Sequence, residues 1–240
     1  MFAPQVVVNE VIRKAAELDP ASARKLIEEN NFQSMILSTV SSAYVKGVIE
    51  HTAGSVDWLG IADDLKNFPP AEGILPQPKN VPGMQGLVSE WAKVDPSAAL
   101  DWYVSDAEIE LNQAEGSAAI GRILGGVPPE SQSRAVKWME QAREQGNWNE
   151  KVVGNYGEAL ALSGTSLGPH VERAVSWISD EDERYEFVAR FIPPQTRLPI
   201  QSLDGGAFQF DRAELVNLVH AANLPAAKRS DLLQRIESRK

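Results

Sequence analysis

The feature of this sequence that most limits its fold is a five-residue phrase that occurs twice. Residues 134–138 read Arg-Ala-Val-Lys-Trp, and residues 173–177 read Arg-Ala-Val-Ser-Trp. A partial third copy begins at Arg212-Ala213, displaced by the same interval again. Asp19-Pro20 likewise returns as Asp95-Pro96, at close to twice that interval. Similarity at a fixed interval of about 40 residues is typical of helical hairpins that stack on one another.

Apolar residues recur at intervals of three and four along most of the chain, the spacing of a helix that buries one face. The segments that show this pattern most clearly are 5–18, 32–52, 56–68, 148–163, 181–192, 211–223 and 226–238. Only Val6-Val7-Val8 suggests a short strand. The sequence therefore predicts an all-α fold, a right-handed superhelix (α-solenoid) of antiparallel helical hairpins, with about 10–12 helices and a repeat of about 38–39 residues.

Two kinds of residue mark where the predicted helices begin and end. The aspartates of Asp19-Pro20 and Asp95-Pro96 can accept hydrogen bonds from the free amides of a first turn, and a following proline suits the first helical position. Gly146 follows a stretch of helical periodicity, and glycine commonly ends a helix. We therefore expect helices to begin at both Asp-Pro phrases and another helix to end at Gly146.

The helical pattern is interrupted at residues 69–83, which contain five prolines and two glycines. Repeated proline excludes a helix interior and favours extended chain. The segment is either a linker between two lobes, 1–68 and 84–240, or an ordered loop within a single helical-repeat domain of residues 1–240. Ile74-Leu75 in its middle favours the ordered loop, because free linkers seldom carry an apolar pair.

Short motifs resemble known helical repeats. The phrase Ala-x-x-Leu-Asp-Pro at residues 15–20 resembles the junction between tetratricopeptide units. Those units run to about 34 residues, so the longer spacing here lies nearer to HEAT-type repeats. Residues 91–102, Trp-Ala-x-x-Asp-Pro-x-Ala-Ala-Leu-x-Trp, are similar to repeats in bacterial proteins of uncharacterised function. These resemblances imply an α-solenoid that binds proteins, and they imply no catalytic residue.

The net charge narrows the classes of partner. The chain carries 23 Lys and Arg against 33 Asp and Glu, a formal charge of −10 at pH 7. This excess of acid opposes nonspecific binding of nucleic acid, which needs basic side chains to replace the counterions of the phosphates. It also opposes binding to an anionic membrane surface. A protein or peptide with a basic segment would suit the charge better, although an acidic surface also serves solubility alone.

The absence of cysteine removes several kinds of chemistry. Disulfides, thiolate nucleophiles and Cys-ligated metal sites are excluded. No run of about 18 or more apolar residues is present, so no membrane-spanning segment is predicted. The start of the chain lacks the basic region and the long apolar core of a signal peptide. We expect a soluble protein, either cytoplasmic or exported with a trimmed signal peptide, and the sequence leaves that choice open.

No motif that carries chemistry stands out. His51, His170 and His220 lie far apart in sequence and fit no metal-ligand spacing, so each is expected at the surface or at a helix end. Gly125-Gly126 is followed by Val and Pro rather than by the Lys of a phosphate-binding loop. The acidic run 180–183 lacks the alternating ligands and central glycine of a calcium loop. We therefore predict no catalytic, cofactor-binding or metal-binding residue.

The repeated tryptophans and arginines have a structural and a functional interpretation. Trp102, Trp138 and Trp177 fall at related places in successive predicted hairpins, and burial of an indole there would stabilise the stack. Stacking against a ligand is the less favoured alternative. Arg134 and Arg173 could form a ladder that binds carboxylates of a partner, but pairing with a nearby Glu or lying along the surface is favoured.

The sequence points most directly to a non-catalytic scaffold that binds a protein or peptide. The expected contact surfaces are the concave side and the irregular segments 69–83 and 195–209. The alternative is an all-α enzyme or small-ligand-binding protein with an acidic groove, for which Glu108, Glu110 and Glu115 could supply paired carboxylates. A third hypothesis is a structural or regulatory segment of a larger chain.

Overall fold

The computed structural model of this chain is helical wherever it describes regular backbone structure. It describes residues 3–30, 32, 34–52, 54–68, 81–105, 114–163, 167–192 and 210–238. Within these ranges there are thirteen α-helices and one short 3-10 helix, and there is no strand. The all-α prediction is confirmed, and the strand considered at Val6-Val7-Val8 is part of the first helix.

The helices are close to those that the sequence predicts. They are α1 (Ala3–Leu18), α2 (Pro20–Glu29), α3 (Ser34–His51), α4 (Trp58–Asn67), α5 (Met84–Val94), α6 (Pro96–Ser105), α7 (Ala114–Gly125), α8 (Gln132–Glu144), α9 (Glu150–Ser163), α10 (Pro169–Val175), α11 (Glu181–Ala189), α12 (Arg212–Ala221) and α13 (Ala226–Glu237), with the 3-10 helix Pro129–Ser131 before α8. Helices α2, α4, α6, α8 and α10 begin at positions 20, 58, 96, 132 and 169, which are almost evenly spaced. Helix α12 begins at position 212, so the last interval is longer than the others.

Aspartates cap the first three of these evenly spaced helices. Asp19, Asp57 and Asp95 each accept a hydrogen bond from a backbone amide in the first turn of the helix that follows, at 3.1, 3.0 and 3.2 Å. The predicted starts after Asp19 and Asp95 are confirmed. The cap at Asp57 was not predicted, because no proline follows it. Asp57 nevertheless lies halfway between the other two aspartates in sequence. An aspartate at this position satisfies amides that the helix itself leaves free.

The chain divides into two compact units, residues 1–91 and residues 92–240, which we call unit 1 and unit 2. The division falls within α5. The two sequence-predicted lobes, 1–68 and 84–240, stay a prediction, since residues 69–80 lie outside the described part of the chain.

In unit 1, α1 packs against α2 and α3, α2 against α3, and α3 against α4. The contact between α1 and α3 is a close one. A methyl group on Gly47 of α3 would lie 2.2 Å from the carbonyl oxygen of Arg13 in α1. Only glycine lets the two backbones approach to this distance. Trp58 of α4 and Trp91 of α5 stack with nearly parallel rings, 5.8 Å between centroids.

In unit 2, each helix contacts the helix two places further along the chain. One series of contacts runs α6–α8–α10–α12, and the other runs α7–α9–α11. Polar contacts between successive members bridge similar lengths of sequence. Arg134 donates to the carbonyl of Val94 at 2.9 Å, and the Trp138 indole donates to Asp101 at 2.7 Å. The sequence separations of these two bonds are 40 and 37 residues.

Candidate functional site

An open groove of about 480 Å³ lies in unit 2 and is the best candidate for a binding site in the described residues. Three segments form it: the end of α8, the start of α9 and the turn after α10. Its lining consists of Arg143, Trp148, Asn149, Glu150, Lys151, Val153, Trp177 and Ser179. The groove therefore combines two indoles, two cations and one carboxylate.

The turn between α8 and α9 is fixed by backbone hydrogen bonds. The amide of Gly146 donates to the carbonyl of Arg143, and the amide of Asn147 donates to that of Ala142, both at 2.9 Å. With Gly146 at a φ of 79°, this is the Schellman arrangement that ends many helices. The Asn149 side chain then accepts from an amide of the first turn of α9 at 3.1 Å. The predicted helix end at Gly146 is confirmed, and the turn holds Arg143 and the start of α9 at one end of the groove.

Trp177 supplies an aromatic ring beside the guanidinium groups of Arg143 and Arg173. Its side chain is only 7% exposed, yet it lines the groove. The guanidinium carbons of Arg143 and Arg173 lie 5.0 and 5.8 Å from the centre of its ring, within the range of cation–π attraction. Arg173 also forms an ion pair with Glu140 at 2.5 Å. Arg143, by contrast, forms no direct ion pair with a described residue, although its charge acts on the carboxylate of Glu150.

The single carboxylate of the lining is already bound. Glu150 accepts a hydrogen bond from the backbone amide of Ser179 at 3.1 Å. The hydrogen bonds from Ser179 lower the pKa of the Glu150 carboxyl, and the positive charge of Arg143 acts in the same direction. Glu150 therefore stays anionic and ties the start of α9 to the turn after Trp177. Lys151 is exposed and forms no ion pair with a described residue.

Beneath the groove, a chain of aromatic rings runs into the core of unit 2. Trp138, Trp148, Tyr156 and His170 contact one another in sequence, with ring centroids 6.0, 5.5 and 6.1 Å apart. The Tyr156 hydroxyl and His170 Nδ1 are hydrogen-bonded to each other. Burial lowers the pKa of His170 to about 4, so the imidazole is neutral at pH 7. His170 Nε2 and Trp148 Nε1 have no partner within the described residues.

The predicted burial of the tryptophans is confirmed for two of the three. Trp138 and Trp177 are 4% and 7% exposed, whereas Trp102 is half-buried. The two buried indoles do not occupy the same place in their helices. Trp138 lies in the middle of α8, but α10 ends at Val175 and leaves Trp177 in the turn that follows. The apolar spacing of residues 171–178 in the sequence predicts a helix from about residue 169 that includes Ile178, but α10 ends at Val175, and Trp177 lines the groove from the turn that follows.

The repeated arginines make contacts within unit 2. Arg173 pairs with Glu140, as favoured from the sequence. Arg134 instead donates to the carbonyl of Val94 and to the Ser131 hydroxyl, at 2.9 and 3.1 Å. Both arginines are exposed and form contacts within unit 2, and the ladder for a partner stays a prediction.

The histidines divide into two surface residues and one buried residue. His51 and His220 are exposed in the last turns of α3 and α12, as expected. His170 is in the first turn of α10, which is a helix end, but its side chain is completely buried. Gln132, the first residue of α8, is a second buried polar side chain at the start of a helix.

The carboxylates that the sequence offered for an acidic groove fall outside the described part of the chain. Glu108 and Glu110 lie outside the described residues, and so does the side chain of Glu115. The part of the chain that the structure describes contains no group of three His, Asp or Glu side chains placed to hold a metal ion. Among its helices, none has both the length and the apolar composition needed to cross a bilayer.

Comparison with known proteins adds no family to these observations. No protein-family model matches the chain, and no curated protein or solved structure matches it either. The arrangement of the helices and the groove are therefore the observations that bear on function.

Proposed function

We propose that this protein is a non-catalytic helical-repeat scaffold of the α-solenoid type that binds another protein or a peptide. The observation that carries the proposal is the order of contacts in unit 2, where each helix packs against the helix two places along the chain. Two further observations support it: the helix starts are almost evenly spaced, and the polar contacts of Arg134 and Trp138 bridge about as many residues as separate those starts. In a repeat stack each hairpin contacts only its neighbours, which gives this order of contacts.

The physical reason for a binding role lies in how such stacks expose their helices. Hairpins that stack side by side present equivalent faces of successive helices as one continuous surface. Partners of this kind of surface are commonly extended segments of other proteins. The sequence-based expectation that the partner is basic rests on the net charge of −10.

Site-specific photo-crosslinking in the native host tests the proposal. A photoreactive amino acid is placed singly at Lys137, Glu158 or Asn217, which are exposed residues on α8, α9 and α12. We expect a protein adduct of defined mass at one or more of these positions. An excess of the unlabelled full chain should abolish the adduct, because a specific site is saturable.

Absence of a competable adduct at every position would contradict the scaffold proposal. The alternative function is that of a small-ligand-binding protein. One observation favours it: the volume of the groove, about 480 Å³, is within the range of ligand sites. Its lining carries two cations and one carboxylate, so it is not the acidic groove that the sequence suggested. A rise in the melting temperature of several degrees with one metabolite, without protein adducts, would favour that function.

A further inference from the structure

We propose that the groove of unit 2 binds an acidic peptide segment of the partner protein. A carboxylate of the peptide pairs with Arg143 and Lys151, and a neighbouring apolar side chain lies against Trp177. This inference rests on the proposed function and names the chemistry of the partner at one place.

The charge of the groove lining is the first argument. Arg143 and Lys151 both line the groove, and neither forms an ion pair within the described residues. The Glu150 carboxylate between them in sequence accepts from the Ser179 amide and is held there. With two cations and one carboxylate, the lining carries a net positive charge, which favours an anion.

The aromatic lining of the same groove supplies the second argument. Trp177, which is 7% exposed, and the almost completely buried Trp148 and Val153 also line the groove, so part of its lining is apolar. A free anion such as phosphate would gain nothing from that surface. A peptide that alternates acidic and apolar side chains can use both parts, because its side chains point in different directions along an extended backbone.

The protein already contains an interaction of this type. The indole of Trp138 donates to the carboxylate of Asp101 at 2.7 Å. Trp177 occupies the corresponding place in the repeated five-residue phrase, and its ring lies beside two guanidinium groups instead. Its indole has no hydrogen-bond partner among the described residues. Unlike the indole of Trp138, the indole of Trp177 is therefore not hydrogen-bonded to a carboxylate of the described residues.

The net charge of −10 does not prevent such binding. Charges that are separated by more than a Debye length, about 8 Å at physiological ionic strength, are largely screened from one another. A peptide carboxylate in contact with Arg143 therefore responds mainly to the groove lining. The net charge of the chain would slow the approach of an acidic peptide more than it would weaken the contact.

Titration of the full-length ¹⁵N-labelled protein with three matched hexapeptides tests the inference. The peptides alternate leucine with glutamate, glutamine or lysine, and are added to millimolar concentration. We expect the glutamate peptide to bind saturably and to shift the indole signals of Trp148 and Trp177. The glutamine and lysine peptides should bind at least about tenfold more weakly, since neither pairs with the cations.

Variants locate the binding. The double substitution R143Q/K151Q should weaken the glutamate peptide about five- to tenfold. K137Q is the matched control, because Lys137 is an exposed cation of α8 that does not line the groove. It should change the affinity less than about twofold. All three cations are exposed, and an unchanged circular-dichroism spectrum confirms that the variants fold.

Three results would overturn the inference: no binding of the glutamate peptide, equal or tighter binding of the lysine peptide, or equal affinity of R143Q/K151Q and the unaltered protein. The photo-crosslinking experiment separates these failures from failure of the scaffold proposal. If protein adducts persist in R143Q/K151Q while the glutamate peptide does not bind, a partner exists and binds elsewhere.

Discussion

At the scale of single residues, His170 is the most unusual feature of the core. Its imidazole is fully buried, bonded through Nδ1 to the Tyr156 hydroxyl, and its Nε2 has no partner among the described residues. A second proton on this ring would bring a charge into an apolar, aromatic environment. Burial therefore lowers the pKa of His170 to about 4, against an ordinary value of 6.5.

This difference in pKa predicts a loss of stability in mild acid. The unfolded chain binds a proton at His170 below pH 6.5, whereas the folded chain binds it only near pH 4. The free energy of unfolding therefore decreases as the pH falls through this window, and the decrease reaches about 3 kcal/mol near pH 4. Denaturant unfolding at several pH values should show this slope, and it should be smaller in H170Q. An identical pH dependence in H170Q would contradict the assignment.

Gly146 shows how one residue positions part of the groove. Its φ of 79° lies in the left-handed region, and a methyl group there would meet no atom within 4 Å. G146A should therefore destabilise the protein through backbone strain alone, by about 1 kcal/mol. Denaturant unfolding measures this cost. G146N should recover part of it, because asparagine tolerates the left-handed conformation better than alanine.

At the scale of elements, close approach between helices depends on glycine. In α9, a methyl group on Gly157 would lie 2.2 Å from the ring of Phe187 in α11, and Phe187 is only 2% exposed. Gly154, about one turn earlier in the same helix, has open space around it. The packing of α9 on α11 therefore depends on one glycine of α9 and not on the other.

The two glycines give opposite predictions for the same substitution. G157A should destabilise the protein by about 1–3 kcal/mol, because the buried ring of Phe187 has to move. G154A should stabilise it by about 0.5–1 kcal/mol, because alanine favours the helix over the unfolded chain. Thermal or denaturant unfolding of both variants provides the measurement. Equal effects of the two substitutions would show that α9 and α11 do not pack in this way.

Helix positions could be predicted from the sequence, whereas some helix ends could not. Periodicity and the Asp-Pro phrases located most helices to within about three residues, because capping and amphipathicity are local properties. The early end of α10 depends on how the chain turns after Val175, where Trp177 and Ile178 form short-range hydrogen bonds to residues 174 and 175. The cap at Asp57 was missed because no proline follows it.

At the scale of the whole molecule, the helix contacts in unit 2 follow a regular order along the chain. Two series of helices are joined through successive members: α6–α8–α10–α12 and α7–α9–α11. At the C-terminal end, Arg235 donates to the carbonyl of Ile192 at 2.8 Å, and Tyr185 donates to Asp231 at 2.7 Å. These bonds join α13 to α11 and to the turn that follows α11.

This order of contacts predicts that damage at one end of unit 2 stays local. Leu232 of α13 is completely buried, and L232A should lower the free energy of unfolding of α12 and α13 by about 2–5 kcal/mol. Hydrogen exchange should become faster in α12 and α13 and stay unchanged in α7 and α9, since coupling in a stack passes between neighbours. L233A is the matched control, because Leu233 is only half-buried and should have a smaller effect. Uniformly faster exchange throughout unit 2 would contradict a repeat stack.

The sequence by itself determined the helices, their nearly even spacing and the absence of cysteine chemistry. Amphipathic periodicity, capping and composition act over a few residues, so they can be read before the chain is folded. The groove was decided only by the tertiary structure. Arg143, Lys151 and Trp177 belong to three different segments. The sequence does not show that Glu150 binds Ser179, or that neither cation forms a direct ion pair with a described residue. The burial of His170 was decided in the same way, because it depends on rings contributed by α8, α9 and the turn between them.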